Sequence, residues 1–489
     1  MRLDGVVRVD ENSWQVARLI PVSGINGAEE QERRGTSALL AVLASVKEYG
    51  RAVSGALGAP VGVVETFIEV PFTTAAGKKA TPDGLIRVTR GGREFVALVE
   101  VKTGRDTLDA AQVECYLDIA RDHGFDAVLT ISNEIAPAPG AHPCPVDKRK
   151  LKKVALHHMS WSRLHTLAVI EQVNRSVADP DQAWILGELV RYLEHPKSGA
   201  IDFDDMGPQW VTVRDAVNAG TLRSSDKGAV EVATRFDQLI SFAGMRLARQ
   251  LGVTVQPALT RAEAADPTSR RAAQTAQLVA TGKLTGGLRI PNAVGPVQIN
   301  VDLRASKVSA AVSVPAPAEG RQLTRVNWLL RQLRDAPADV RADAVTAWSR
   351  GDGRSELLGT LRANPGLLVE DAKRDIRNFT LTLTRQAGVK RGQGRGSFVG
   401  GVLDLIDTFY GEVVQLLRPW TASAPKIKTP DQSRDEPPAA AADDLAPVPQ
   451  LPTAGLPGEP VLPTQAGPVD DDAASSLDPP AGATTDNSD

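Results

Sequence analysis

The chain has 489 residues, of which 42% are hydrophobic and 24% are charged, and its net charge at pH 7 is −3. This composition is typical of a globular protein of roughly two to four domains and excludes collagen and coiled coils. The apolar run at residues 37–46 is about half the ~20 residues that a membrane-spanning helix needs, so the pattern also excludes a transmembrane protein.

The beginning of the chain and its two cysteines predict a cytoplasmic protein. Asp4, Asp10 and Glu11 lie where a secretion signal would need an apolar stretch. Cys115 and Cys144 form no C-x-x-C pair and are too few to stabilise a chain of this size through disulfides, as expected in a reducing compartment. We expect both to be free thiols.

Residues 26–135 predict alternating helices and strands. Asn26 and Glu29 form a capping-box pattern before a helix whose buried face repeats at steps of three and four residues. Strand-like runs follow at residues 64–72, 85–88, 95–101 and 125–132, and a helix capped by Asp106 or Thr107 precedes the last of them. Such a β-α-β unit predicts an α/β fold with a mixed central β-sheet flanked by helices. The face of the first helix comprises Glu32, Thr36, Leu39, Leu43 and Val46.

The Gly91-Gly92 pair predicts a tight β-hairpin, because two-residue hairpin turns need positive φ and glycine adopts it without steric cost. With the turn at these residues, Arg90 lies opposite Arg93, and continuing along the ladder places Asp83 opposite Glu100. Opposed side chains have Cβ atoms about 4.5–5.5 Å apart on one side of the sheet. The register therefore brings two carboxylates together.

Two opposed carboxylates repel each other, so their pairing indicates a compensating cation. Proteins bind Mg²⁺ through oxygen ligands, usually one or two carboxylates with water and substrate phosphate completing its shell. Lys102 lies two residues beyond Glu100 and therefore on the same face, where its ammonium can contact an attacking water or a phosphate. The spacing predicts a phosphodiesterase site in which Asp83 and Glu100 bind Mg²⁺ or Mn²⁺.

The stretch TPDGLIRVTRGGREFVALVEVKTG, residues 81–104, resembles the motif of the PD-(D/E)XK nucleases, the restriction-endonuclease-like superfamily. Pro82-Asp83 matches the first half of the motif, and Glu100-Val101-Lys102 matches the second half across a hairpin. Gln112 and Tyr116, one turn apart on the following helix, are similar to the Q-x-x-x-Y element of many of these nucleases. The resemblance covers about residues 26–165 and implies a restriction-endonuclease-like core.

The same resemblance implies a function and a set of site residues. It implies a Mg²⁺-dependent nuclease that hydrolyses phosphodiester bonds, with DNA favoured over RNA as the partner and a homodimer left open. The family often takes a further acidic metal ligand from the first helix, for which Glu32 is the best match and Glu48 and Glu29 are weaker ones. The implied catalytic residues are Asp83, Glu100, Lys102, Gln112 and Tyr116.

Two alternatives stay open at this point. Pro82-Asp83-Gly84 is also a common turn sequence, and Glu100 with Lys102 also fits an ordinary solvated strand face. However, Glu100 ends an apolar row formed by Val96 and Leu98, whereas a solvated face is polar throughout. The other alternative is a catalytically silent nuclease-like fold that binds nucleic acid or protein as a stress or defence regulator.

A basic cluster after the predicted core is a candidate nucleic-acid contact, because lysine and arginine side chains neutralise backbone phosphates. The ordinary alternative is solvated surface charge. The basic side of a later helix, with Arg325, Arg331 and Arg334, ranks second as a nucleic-acid surface. The cluster consists of Lys148, Arg149, Lys150, Lys152 and Lys153.

The whole chain is expected to divide into a nuclease-like domain at residues 1–200, a domain of unknown role at 201–420 and a tail at 421–489. The middle domain is predicted to be mainly helical with a small β-rich patch, where residues 297–303 and 308–314 alternate in polarity. The tail holds thirteen of the 33 prolines and a net charge of −9, which leaves +6 on the rest of the chain. Such a segment buries too little apolar surface to offset its ordering entropy, so we expect it to be disordered.

Overall fold

The computed structural model describes residues 15–16, 28–74, 77, 79–136, 141–346, 353–369 and 374–422. Asn26 of the predicted capping box and the predicted tail beyond Ala422 lie outside the described residues. Both cysteines are free thiols, as predicted. Among the described helices, none is both long and apolar enough to cross a membrane.

The first half of the described chain folds around a six-stranded sheet. Its strands, with those of a small ribbon, are β1 (Gln15–Val16), β2 (Val63–Ile68), β3 (Phe72–Thr73), β4 (Lys79–Ala80), β5 (Gly84–Arg90), β6 (Arg93–Val101), β7 (Ala127–Ser132) and β8 (Ala155–Ser160). The order in the sheet is β1-β2-β5-β6-β7-β8, and β3 pairs with β4 separately. The β6–β7 and β7–β8 pairs are parallel and the others antiparallel. The predicted mixed sheet is confirmed.

Helices cover both faces of this sheet. They are α1 (Ala28–Ser45), α2 (Lys47–Ala56), α3 (Ala110–His123), α4 (Trp161–Val169) and α5 (Pro180–Glu194). On one face, α1, α2, α4 and α5 form a buried core in which Leu39 packs with Val99. On the other face, α3 packs its Leu117 with Leu98 of β6. The alternation of β6 therefore sends Leu98 and Glu100 toward α3, as the strand period requires.

Local capping explains where two helices begin. The Ser160 side chain accepts a hydrogen bond from the Arg163 backbone and caps the start of α4. The predicted cap of α3 at Asp106 or Thr107 is wrong, because Asp109 accepts from the Ala111 backbone and starts the helix later. The chain between Lys102 and Asp109 is consequently a loop, and this loop lies at the carboxyl end of β6.

The second half of the described chain contains a seven-stranded antiparallel sheet. The elements are α6 (Trp210–Ala219), α7 (Lys227–Leu251), β9 (Gln256–Pro257), α8 (Arg261–Ala265), α9 (Pro267–Thr281), β10 (Lys283–Arg289), β11 (Val297–Asp302), β12 (Lys307–Pro315), α10 (Gln322–Gln332), β13 (Arg341–Thr346), β14 (Arg354–Leu357), α11 (Leu358–Ala363), β15 (Ile376–Gln386) and α12 (Phe398–Glu412). The strand order is β14-β13-β15-β12-β11-β10-β9. Its apolar face packs with α7, α10 and α12 in one continuous core.

The predicted β-rich patch is therefore only part of a larger sheet. β11 and β12 match the two predicted runs, whereas β13 and β15 fall where helices were expected. The side chains that β13 buries are Ala342, Ala344 and Thr346, and two alanines among the three give a weak strand pattern. β15 pairs with β12 across about sixty intervening residues, so the partner of each strand is not visible locally.

Candidate active site

The Gly91-Gly92 hairpin forms with the predicted register. Both glycines have positive φ, 51° and 79°. Pairing runs from Arg90 opposite Arg93 to Gly84 opposite Val99. Asp83 comes next, just outside β5, and its Oδ2 accepts a hydrogen bond of 2.7 Å from the Val101 backbone N–H. The turn thus sets Asp83 beside the end of β6, next to Glu100.

Glu100, Lys102 and Glu32 meet at this end of the sheet. The Lys102 Nζ lies 2.8 Å from Oε1 of Glu100 and 3.2 Å from Oε1 of Glu32. Glu100 is only 1% exposed. Within the described residues, neither Glu100 oxygen has a hydrogen bond of proper alignment, and the Lys102 ammonium that pairs with it is shared with Glu32. A fully buried carboxylate left in this state is costly, which favours a further cation.

The carboxyl groups of the site resist ionisation. Burial raises the pKa of Asp83 to about 7, and the neighbouring Glu100 charge adds to that shift. Burial also raises the pKa of Glu100, although the Lys102 ammonium opposes the change. Burial and the Asp83 charge raise the pKa of Glu32. In each case a neighbouring carboxylate adds to the effect of burial, so a bound cation would favour the ionised forms of these groups.

Lys102 remains a protonated ammonium. Burial alone would lower its pKa, but the adjacent carboxylates of Glu100, Asp83 and Glu32 outweigh burial and raise the pKa above its ordinary value. A group that holds its proton this firmly cannot accept one from water near neutral pH. The side chain can therefore donate to an anionic oxygen, which is one of the two roles that the sequence predicts.

Gln112 and Tyr116 also reach the site. The Gln112 amide donates a hydrogen bond of 3.0 Å to the Tyr116 hydroxyl, which in turn lies 3.4 Å from the Thr81 carbonyl oxygen. Burial raises the pKa of Tyr116, and the Glu100 charge raises it further, so the phenol stays neutral. The pair on α3 thus steadies the backbone that leads into Asp83.

The predicted basic cluster does not lie beside the carboxylates. Residues Lys148–Lys152 form a short 3₁₀ helix, and Lys150 pairs with Asp118 and Glu114 of α3. The cluster directly precedes β8, which runs parallel to β7 and begins opposite Ala127, the first residue of β7. The cluster therefore lies where these strands begin, whereas the site lies at the end of the sheet where β7 ends. Sequence reasoning missed this because it did not follow the parallel direction of β8. The other members, Lys148, Arg149, Lys152 and Lys153, are exposed.

The second-ranked basic surface, with Arg325, Arg331 and Arg334, also differs from the prediction. Arg325 is buried, and its guanidinium donates to the backbone carbonyls of Gly320, Ala318 and Ile376. These bonds fix the start of α10 against β15. Arg325 is therefore a structural residue and is removed from the candidate phosphate contacts.

A cleft of about 770 Å³ opens at the carboxyl ends of β6 and β7. Arg105, Asp106 and Asn133 form its wall on the side of the six-stranded sheet, and Asp205 and Arg391 form part of the opposite wall. The lining begins at Gly104, two residues after Lys102, and does not include Glu32, Asp83 or Glu100. Sequence reasoning missed the opposite wall, because residues 202–208 and 388–397 carry no recognisable motif.

The opposite wall includes the glycine-rich loop at residues 388–397. Arg391 pairs with Asp205 at 2.9 Å, and the Gln393 amide donates 2.7 Å to Asp204. These bonds attach the loop to residues 204 and 205. Lys390 and Arg395 are exposed, and neither has an ion-pair partner among the described residues.

Two histidines form a hydrogen-bonded chain beside the site. Nε2 of His158 lies 2.7 Å from the Glu134 carbonyl, which only accepts, so this nitrogen carries the proton. Burial lowers the pKa of His158 to about 4, so its Nδ1 is free to accept from the Thr130 hydroxyl at 3.0 Å. The Thr130 oxygen can then accept from Nε2 of His142 at 2.8 Å. Thr130 pairs with Glu100 on the neighbouring strand, so this neutral chain borders the carboxylates.

The donor chemistry of the site fits a hard divalent cation. Asp83 and Glu100 supply carboxylate oxygens, and Mg²⁺ needs only one or two of these when water and phosphate complete its shell. Among the described residues, no group of three or more His, Cys, Asp or Glu side chains is arranged as metal ligands. A two-carboxylate site with Glu32 nearby is the arrangement that the residues support.

Comparison of the chain with protein-family models, with curated proteins and with solved structures finds no match. The resemblance to PD-(D/E)XK nucleases therefore rests on the motif residues alone.

Proposed function

We propose that this chain is a Mg²⁺- or Mn²⁺-dependent nuclease that hydrolyses phosphodiester bonds of nucleic acid, with DNA preferred. The observation that carries the proposal is the pairing of Asp83 and Glu100 beside a firmly protonated Lys102. Burial raises the pKa of both carboxyl groups, and Glu100 has no aligned hydrogen bond within the described residues. A cation that binds phosphate relieves this excess charge.

Each residue has a distinct task in the proposed reaction. Asp83 and Glu100 would hold the metal ion, and Glu32, which pairs with the same Lys102, would be the further acidic ligand. The bound ion would lower the pKa of an attacking water and neutralise charge on the scissile phosphate. Lys102 donates to a phosphate oxygen, since it cannot take the proton of the water. Tyr116 and Gln112 orient the segment before Asp83.

The phosphate backbone would be held at the rim of the cleft rather than at the Lys148–Lys153 cluster. Lys390 and Arg395 are exposed and lie on either side of residues 391–393, which line the cleft, and Arg105 lies on the facing wall. Asp204 and Asp205 on the same side already accept from Gln393 and Arg391, which reduces their repulsion of phosphate. We therefore assign sequence-independent contacts to Lys390 and Arg395.

A cleavage panel tests the proposal. The full chain is incubated with single- and double-stranded DNA and RNA in the presence of Mg²⁺, Mn²⁺ or a chelator. The proposal expects cleavage that needs the metal and is strongest on DNA. Tight binding without cleavage of any of the four substrates would instead identify a catalytically silent binding protein.

A further inference from the structure

The backbone on both sides of Lys102 is tied by hydrogen bonds from distant parts of the chain. The Lys102 N–H donates 2.7 Å to the Ile131 carbonyl. The Trp161 indole N–H donates 2.9 Å to the Lys102 carbonyl. Two residues later, the Gly104 N–H donates 2.9 Å to the Gly199 carbonyl. These bonds fix the position from which the Lys102 side chain reaches Glu100 and Glu32.

Asn133, at the carboxyl end of β7, is the centre of this arrangement. Its Nδ2 donates to the carbonyls of Gly104 at 2.9 Å and Gly199 at 2.7 Å. Its Oδ1 accepts 2.8 Å from the Ile201 N–H. With two carbonyls as acceptors and one N–H as donor, only one orientation of the Asn133 amide satisfies all three hydrogen bonds. Both amide hydrogens and the amide oxygen are therefore used in these bonds. One residue thus joins the loop after Lys102 to the segment at 199–201.

Gly199 packs against Gln31 and Thr103, which are the chain neighbours of Glu32 and Lys102. Its φ is +84°, and a Cβ there would lie 2.7 Å from both the Thr103 Cβ and the Gln31 Cδ. The Gln31 amide also donates 2.7 Å to the Lys197 carbonyl. Gln31 precedes Glu32 and Thr103 follows Lys102 in the chain. The segment at 197–201 therefore contacts both backbones that carry the Lys102–Glu32 ion pair.

We propose that Asn133 and Gly199 are positioning residues that set the Lys102–Glu32 geometry and couple it to residues 201–208 on the far wall of the cleft. Asn133 lines the cleft, but its amide is used in bonds within the chain, so neither residue is assigned a substrate contact. They act by holding the two backbones from which Lys102 and Glu32 project, as supporting residues hold metal ligands elsewhere. The inference rests on the proposed nuclease function and extends it to residues outside the motif.

Three variants of the full chain test this. Asn133→Asp keeps the acceptor for Ile201 but turns a carboxylate oxygen toward two carbonyls. Gly199→Ala adds the clashing Cβ at φ +84°. Gly58→Ala is the matched control, because Gly58 also has φ +84° but its Cβ would meet nothing within 4 Å. All three are compared with the wild type in Mg²⁺-dependent cleavage, thermal unfolding and amide hydrogen exchange at residues 102–104.

The inference expects kcat to fall about 10- to 100-fold in Asn133→Asp and Gly199→Ala, with KM within about twofold of the wild type. Amide exchange at 102–104 should accelerate in both variants and not in Gly58→Ala. A kcat loss no larger than that of Gly58→Ala, or unchanged exchange, would overturn the inference. A wild type that cleaves none of the substrates would overturn the nuclease function itself, and positioning for catalysis with it.

Discussion

The Lys102 ammonium lies 2.8 Å from the Glu100 carboxylate, and that carboxylate is almost completely buried. Because Lys102 is shared with Glu32, it compensates the charge of Glu100 only in part. Asp83 adds a third carboxyl group whose pKa is raised to about 7. The site therefore balances between a protonated, metal-free state and an ionised state that requires a cation.

The first prediction concerns stability. The pKa of Asp83 is higher in the folded state than its ordinary 3.8, so its contribution to stability is complete below pH 3.8 and is lost as pH rises through 7. Asp83→Asn removes the charge while its side-chain oxygen can still accept from Val101. Without metal, this variant should melt at least about 2 °C above the wild type at pH 8. The difference should shrink at pH 5, and a lower melting temperature at pH 8 would contradict the account.

The second prediction concerns metal binding and pH. A metal ion requires ionised carboxylates, so binding must displace the proton that Asp83 holds near pH 7. The apparent affinity for Mg²⁺ should therefore rise between pH 6 and pH 8. Calorimetry in two buffers of different ionisation enthalpy should show proton release that decreases over the same range. Affinity independent of pH would mean that Asp83 is not a ligand.

The third prediction compares the two basic surfaces. Replacing Lys390 and Arg395 by alanine should lower the slope of log affinity for DNA against log salt, by about 0.7–0.9 for each lost phosphate contact. Alanine at Lys148 and Lys152 removes the same charge at the other surface and is the matched control. The slope should stay unchanged in this control. The reverse result would return the DNA contact to the Lys148–Lys153 cluster.

Features of the fold and the site could be predicted where they depend on residues close together in the chain, and not where they depend on residues far apart. Gly91-Gly92 determines a hairpin locally, because two successive positive φ values leave one register, and that register places Asp83 beside Glu100. The predicted Glu32 likewise reaches Lys102, since the periodicity of α1 turns it toward the sheet. Asn133 could not be found, because a single asparagine after a strand carries no pattern. Its contacts with Gly199 arise only when segments about 66 residues apart meet.

The fourth prediction concerns acid stability. Burial lowers the pKa of His158 to about 4, so its contribution to stability is present above pH 6.5 and is lost as pH falls toward 4. The loss should reach at most about 3 kcal/mol of unfolding free energy. His158→Gln can still donate to the Glu134 carbonyl but does not titrate, so its stability should depend less on pH in this window. The exposed His195→Gln is the control and should follow the wild type.

Single-turnover cleavage of DNA by Glu100→Gln, beside the wild type and Glu94→Gln, tests the central claim most directly. Glu94 lies on the same strand but is exposed, so its replacement controls for the loss of one carboxylate from β6. With saturating Mg²⁺, the wild type and Glu94→Gln should cleave at similar rates, and Glu100→Gln should be slower by more than about 100-fold. Equal rates for all three proteins, or no metal-dependent cleavage by the wild type, would contradict the assignment of Asp83, Glu100 and Lys102 as a nuclease site.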